Sequence, residues 1–392
     1  MNLQLLLLAL CQGFFMTNNI VFIAINGLVG LSLAPVAWMA TLPVTGYVAG
    51  GALCAGLVGR AQRTWGRKRG FQFGLLTAIG ASLLCAYAVW SHNFWLLVGA
   101  TVIAGYYNAN AALYRFAAIE LVAPAYKERA ISWVLAGGVF GAVVGPNLAT
   151  ATHQVLPVAF VGGYLSLAGV ALLSLLTLSF IHFPALPPPS AALPGRPLRE
   201  IARQPVFIVA VVSCALGYGV MNLLMAATPI AMAQCAHPFA SAALVLEWHV
   251  LGMFVPSFFT GSIIKRVGAL PVMGVGVLLN ALAIAMALSG IDVMQFLLAL
   301  FMLGVGWNFL YIGGTTLFTQ TYRPEERTTA QAAMDTVVYS TMTLTSFSSG
   351  ALITTQGWTW LNLGSIVPVA VLGACLLWLA LSKANRVAPQ AR

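Results

Sequence analysis

The chain has 392 residues, of which 60% are hydrophobic and 7% charged, where soluble domains carry about 25% charged residues. That balance excludes a soluble enzyme and identifies an integral membrane protein. The formal charge of +10 sits in short stretches between apolar runs, so membrane topology and anionic lipid explain it better than nucleic acid, which is not expected as a partner.

Taken in order, the chain opens on an apolar run. Met1 to Gln12 lacks both a basic leader and a small-residue cleavage site, so this run reads as a span that stays. A span needs ~20 mainly apolar residues to cross ~30 Å of hydrocarbon. Twelve segments qualify: 4–28, 35–59, 71–91, 95–118, 131–152, 158–181, 205–232, 241–263, 271–290, 294–318, 329–353 and 359–382. Continuous runs of this kind mean helices, because strands of a membrane barrel would alternate.

Between the second and third spans lies Arg60 to Arg69, RAQRTWGRKR, with five basic side chains in ten residues. Such a block cannot sit in hydrocarbon and reads as a loop. Lys and Arg beside spans are retained in the cytoplasm. The connections 60–70, 119–130, 182–204, 264–270 and 319–328, with the tail from Lys383, hold seventeen of the eighteen Lys and Arg. The eighteenth is Arg115, near the inner end of its span. Twelve spans with both termini cytoplasmic, in the cell's inner membrane, satisfy this pattern.

Residues 182–204 contain PALPPPS and LPGRPLRE, whose prolines cannot continue a helix. They divide the chain into six spans at 1–181 and six at 205–392. The halves repeat at an offset near 200. Asn108 and Asn308 lie mid-span, followed by Pro124 and Pro324 and then by charged runs at 126–129 and 325–327; Asn18 and Asn222 also match. Two such halves are the sequence trace of a duplicated transporter.

With those features in place, the chain resembles the major facilitator superfamily of secondary transporters over essentially its whole length. The family carries G-x-x-x-D-R-x-G-R-K between spans two and three; here Gly59 to Lys68 reads GRAQRTWGRK, with Arg63 at the acidic position. The second half repeats the motif at Gly261 to Gly268, GSIIKRVG, with Lys265 at that position. A span-five motif of proton-driven exporters, G-x-x-x-G-P-x-x-G-G, is matched at Gly141, Gly145 and Pro146 but not at Ala149 and Thr150. The alternative reading of these glycines is close helix packing. The resemblance implies an all-α fold of twelve transmembrane helices in two pseudo-symmetric six-helix bundles, with spans one, four, seven and ten around a central cavity.

Ionisable and amide residues within spans are expensive and are therefore candidates for function. Asn18, Asn108, Asn222, Asn308 and Tyr311 are expected to line the cavity and bind substrate; the competing reading is that the amides tie helices together. Arg115 either snorkels to the inner interface or anchors a substrate carboxylate or phosphate. Glu247, seven residues into span eight, is the expected proton carrier, with His249 on another face of that helix. The resemblance also implies a cytoplasmic latch between the loop after span two and span eleven. With Arg63 in the acidic position, its polarity is swapped, so that Arg63 or Arg67 pairs with Asp335 when the inner side is closed; the alternative is that Asp335 simply favours a helix start.

Neither paired carboxylates nor a nucleophile triad lies in any span, and the six cysteines show no metal or redox spacing, so no enzyme, cofactor or metal site is expected. The reading is a monomeric secondary transporter of a small organic solute, working by alternating access and coupled to protons, with export favoured. Uptake by proton symport is the alternative direction. A membrane sensor that kept the fold is the alternative class.

Overall fold

In hydrocarbon the backbone has no hydrogen-bonding partner but itself, and this chain satisfies it with helices. The computed structural model describes residues 2–123, 126–184, 195–323 and 326–382, and every regular element among them is helical. They are α1 (Leu3–Leu33), a 3-10 turn (Ala37–Met39), α2 (Leu42–Trp90), α3 (Phe94–Ala111), α4 (Tyr114–Glu120), α5 (Lys127–Thr152), α6 (Val161–Ser179), α7 (Leu198–Ala202), α8 (Pro205–Gln234), α9 (Phe239–Phe254), α10 (Ser257–Val267), α11 (Ala269–Leu288), α12 (Val293–Phe318), α13 (Arg327–Thr355) and α14 (Gly357–Leu381). Pro124, Pro324, residues 185–194 of the expected linker and the tail from Lys383 lie outside the described residues.

Nine helical stretches among the described residues are long and apolar enough to cross a membrane. One of them, Ala37–Trp90, has 54 residues, or ~80 Å of helix, more than twice the hydrocarbon thickness. It turns back at Gly66 and supplies two spans. With α5 and α13 the set reaches the twelve spans expected.

The turn at Gly66 corrects the sequence reading in one respect. Arg60 to Arg69 is not an open loop. Helix continues through it on both sides, and Gly66 alone leaves helical geometry, at φ 81° and ψ 166°. Lys and Arg are good helix formers whose heads reach the interface on long stems, so charge does not by itself end a helix. A side chain at that φ and ψ is strongly disfavoured, so glycine is required. The second half repeats the device: α10 and α11 meet at Gly268, φ 89° and ψ 164°. The duplicated motif is thus duplicated backbone geometry.

Two spans are broken. The fourth is split between α3 and α4 at Ala112–Leu113, and the eighth between α9 and α10, where Pro256 removes an amide donor. Buried apolar side chains form three clusters. One lies wholly within residues 5–181 and one within 201–379. The largest mixes both halves, including Val21, Ile25, Leu224 and Ile230, and it sits at the end of the bundle away from the basic turns.

Candidate functional site

Aromatic side chains four residues apart on one helix share a face. On α12 this brings Trp307 and Tyr311 together, stacked with ring centroids 5.1 Å apart and planes at 9°. Tyr218 of α8 meets both edge-on, at 5.0 and 5.3 Å. Phe254, at the end of α9, closes on Trp307 from another side at 6.4 Å. Trp307 is only 5% exposed, yet its indole N–H has no partner among the described residues. The hydroxyl of Thr315, two turns along α12, is buried beside the Cys214 thiol.

The first half contributes the charge. Arg115, at the start of α4, projects to this cluster and interacts with Tyr311 of α12 and with Asp335 and Tyr339 of α13. Its Nε is buried without a partner. Tyr339 in turn faces Tyr47 of α2, which accepts a hydrogen bond from Asn19 Nδ2 at 3.3 Å and stacks on Phe22 at 5.0 Å. A ring of aromatic and polar groups therefore crosses from one half to the other. By helical rise, Tyr311 lies ~10 Å and Asp335 ~12 Å from the basic ends of their helices. Trp307 lies ~17 Å in, near the middle of a ~30 Å hydrocarbon layer.

Of the residues singled out in the sequence, this cluster unites Arg115, Tyr311 and Asp335. The amides behave differently. Asn308 donates to Met253 O at 2.7 Å and to Ser257 Oγ at 2.6 Å, and accepts from Thr260 at 2.7 Å. It is saturated by the broken α9–α10 span, where Pro256 interrupts the backbone ladder. Asn222 donates to Met342 O at 3.0 Å and to Thr345 at 3.2 Å, tying α8 to α13. Asn108 is half-buried and packs against Gly51 of α2. Asn18 is buried, with its Oδ1 unpartnered. In this conformation Asn222 and Asn308 tie helices together, the alternative weighed for them from the sequence.

Asp335 is not paired with Arg63 or Arg67 in this conformation, whereas the latch is expected with the inner side closed. Arg67 is engaged by Glu120 at 2.7 Å and also donates to Gln62. The Arg63 side chain returns to Gly59 O at 3.3 Å on an exposed face. Glu120 falls in the expected connection 119–130, but it ends α4 and there meets Arg67. Asp335 faces Arg115 instead. Glu247 stands far from the cluster, at the end opposite the basic turns, where it accepts from Asn147 Nδ2 of α5 at 3.1 Å.

Sequence reasoning missed Trp307, Tyr218, Tyr339 and Tyr47. The available signal was spacing: Trp307 with Tyr311, Asp335 with Tyr339, and Tyr218 with Asn222 are each four apart, which sets each pair on one face.

Comparison with known proteins agrees with this architecture. The profile of the Major Facilitator Superfamily matches residues 5–245 and 215–392. The riboflavin transporter RfnT of Brucella anthropi is 37% identical over 362 residues, covering 92% of this chain and 91% of its own. Among solved structures, a D-xylose–proton symporter superposes with a TM-score of 0.75 at 13% identity, covering 96% of each chain. The nucleoside transporter NupG gives 0.72 at 11%, covering 97% of this chain and all of its own. At such identities these two establish the fold alone.

Proposed function

The chain belongs to the major facilitator superfamily of membrane transporters, and we propose that it carries riboflavin, or a solute with the same planar heteroaromatic ring system, by alternating access. The observation that carries this reading is the Trp307–Tyr311 stack with Tyr218 edge-on against both rings, an aromatic surface of the kind that suits a flat ring, with an indole donor that has no partner among the described residues. Aromatic pairs in such geometries are worth roughly 0.5–1.5 kcal/mol beyond the area they bury. Because the cluster draws on both halves, a solute held there has contacts that change as the halves move, which is how binding biases a conformational equilibrium. The relative named a riboflavin transporter, similar over nine-tenths of both chains, supports the same solute.

The basic end is assigned to the cytoplasmic side of the inner membrane by the retention of Lys and Arg there. The two bundles, 1–181 and 205–392, act as one monomeric unit about the 182–204 linker. Uptake is the direction proposed. The export expectation rested on Gly141 and Gly145, and both are taken up by packing: a Cβ there would lie 2.4 Å from Met16 Cβ and 3.0 Å from Ile20 Cβ of α1. Riboflavin is moreover a cofactor precursor consumed inside cells. The proton gradient is the proposed driving force. Glu247 is its proposed carrier, since a carboxylate shared between α9 and α5 changes the strength of a contact between halves when it takes a proton.

The test is riboflavin fluorescence in proteoliposomes under an imposed pH gradient. Saturable accumulation that follows the gradient is expected. Absence of saturable flux in vesicles of either orientation rules out the solute. Flux indifferent to the gradient rules out the coupling, and accumulation that runs against proton entry restores export.

A further inference from the structure

The aromatic faces account for a flat ring but not for the unpartnered Trp307 indole N–H or for Arg115 and Asp335 beside Tyr311. We propose that the polar side of the cluster reads an imide edge, a carbonyl–NH–carbonyl run on a planar ring, with Asp335 accepting from the imide N–H while Arg115 and the Trp307 indole N–H donate to the flanking carbonyls. The inference rests on the proposed function and narrows it to the part of the ring system that is recognised.

Three observations carry it. First, buried donors without partners are rare, because each forfeits its hydration. Here Trp307 Nε1 and Arg115 Nε are both in that state, and Tyr311 lies between them, stacked on Trp307 and interacting with Arg115. Second, they come from both halves, α4 on one side and α12 on the other, so intrahelical bonding does not explain them. Third, the charge is balanced. The groups that interact with Arg115 from the second half are Tyr311, Asp335 and Tyr339, so one cation is offset by one nearby carboxylate and these groups carry no net excess of charge. A phosphate or carboxylate solute would find its attraction to Arg115 opposed by Asp335. A neutral edge that alternates acceptor, donor and acceptor satisfies both charges at once. This changes the expected role of Arg115 from anion anchor to one arm of a neutral clamp.

Imide edges occur on flavins and on uracil or thymine nucleosides, and ligand choice separates these sources. Binding to the purified full-length protein is measured by quenching of tryptophan fluorescence. The ligands are riboflavin, riboflavin methylated at the imide nitrogen, riboflavin 5′-phosphate, uridine, and uridine methylated at the equivalent nitrogen. The methylated flavin is expected to bind at least ~100-fold more weakly, because a site built around a hydrogen bond rejects the analogue that lacks it. Asp335→Leu, of similar size but with no acceptor, should narrow that discrimination to about threefold or less, whereas Asp335→Asn, whose amide oxygen still accepts, should retain part of it. Arg115→Lys, which keeps the charge but loses the planar fork, should weaken riboflavin while preserving the discrimination. Retention on size exclusion and the melting temperature confirm that each variant is folded. Equal binding of riboflavin and its methylated form overturns the imide reading while leaving riboflavin as solute. Preference for the 5′-phosphate, lost in Arg115→Gln, overturns it in favour of an anion anchor. If riboflavin fails to bind but uridine binds and its methylated form does not, the flavin reading falls and the imide edge stands. Failure of every ligand overturns both.

Discussion

The two ends of the bundle hold themselves together by different means. At the end away from the basic turns, the halves are joined to each other by neutral or singly charged groups. Thr41 Oγ1 donates to Ser346 O at 2.7 Å and accepts from the Gly350 amide at 3.0 Å. Trp38 meets Phe347, and His153 meets Phe239, at 5.8 and 5.1 Å, while Asn147 reaches Glu247. At the basic end, the ion pairs among the described residues stay within one half or tie the linker to it. Arg67 pairs with Glu120 at 2.7 Å, and Arg196 with Glu326 at 2.8 Å. Neutral contacts can be exchanged for water at modest cost, and a partly solvated ion pair within one half adds under ~1 kcal/mol to that half without bridging to the other. A face that must open benefits from the first kind, and a half that must survive alone benefits from the second. In this conformation the halves are closed at the far end and self-contained at the basic one.

The contrast can be broken most forcefully at Gly350. A Cβ there would lie 2.3 Å from Thr41 Oγ1 and 2.8 Å from its amide nitrogen. Gly350→Val should therefore cost the closed far end about 1–3 kcal/mol, a roughly 5- to 150-fold change in the closed-to-open ratio at ~1.4 kcal/mol per tenfold. A cysteine replacing Phe347, in a cysteine-free background, should react correspondingly faster with an impermeant thiol reagent. Unchanged reactivity would mean that the Thr41 contact does not hold that end shut.

A smaller effect is expected from Glu247→Gln. Hydrogen bonds to an ionised acceptor are about twice as strong as neutral ones, so the variant should loosen the same end by ~1 kcal/mol, or about fivefold. If Glu247 carries the proton, gradient-driven flux disappears while counterflow persists. Normal gradient-driven flux would move that role to Asp335.

At the basic end, disruption should touch stability without altering which side is open. Glu120→Gln is expected to cost under ~1 kcal/mol, since the pair with Arg67 is partly solvated. The melting temperature should fall slightly, and cysteine reactivity at 347 should not move. Any shift in reactivity would show that this pair also couples the halves.

The finest test is pH. Glu326 is held well below the usual carboxylate range by Arg196, whose guanidinium and backbone amide both donate to it, with the Arg323 amide adding a third contact. A carboxylate with a depressed folded-state pKa stabilises fully above the unfolded value of ~4.3 and loses that contribution as pH falls through the folded value. Part of the acid lability of the melting temperature should therefore vanish in Glu326→Gln. Identical acid profiles would detach the linker end from the stability of α13.

Much of this fold was legible because hydrophobic length and the bias of Lys and Arg belong to single segments. Each of the twelve expected segments has its helical counterpart. The site was less legible, because its parts meet only across the duplication. Asn308 and Trp307 are neighbours in sequence, yet the amide is spent on the carbonyls and hydroxyls of a broken span while the indole is left free. Nothing local distinguishes them. Asp335 was recognised as a costly charge, but its partner depended on which arginine another carboxylate had already claimed. Arg67 was taken by Glu120, a residue that counting loops had set aside.

The one-residue joints at Gly66 and Gly268 carry a mechanical consequence. A long loop between two spans would act as a slack tether and let either tilt without its neighbour. A single glycine leaves little slack: the two spans of each pair share one pivot, so the inner end of one span cannot shift without carrying the start of the next, while the angle between them stays free to change.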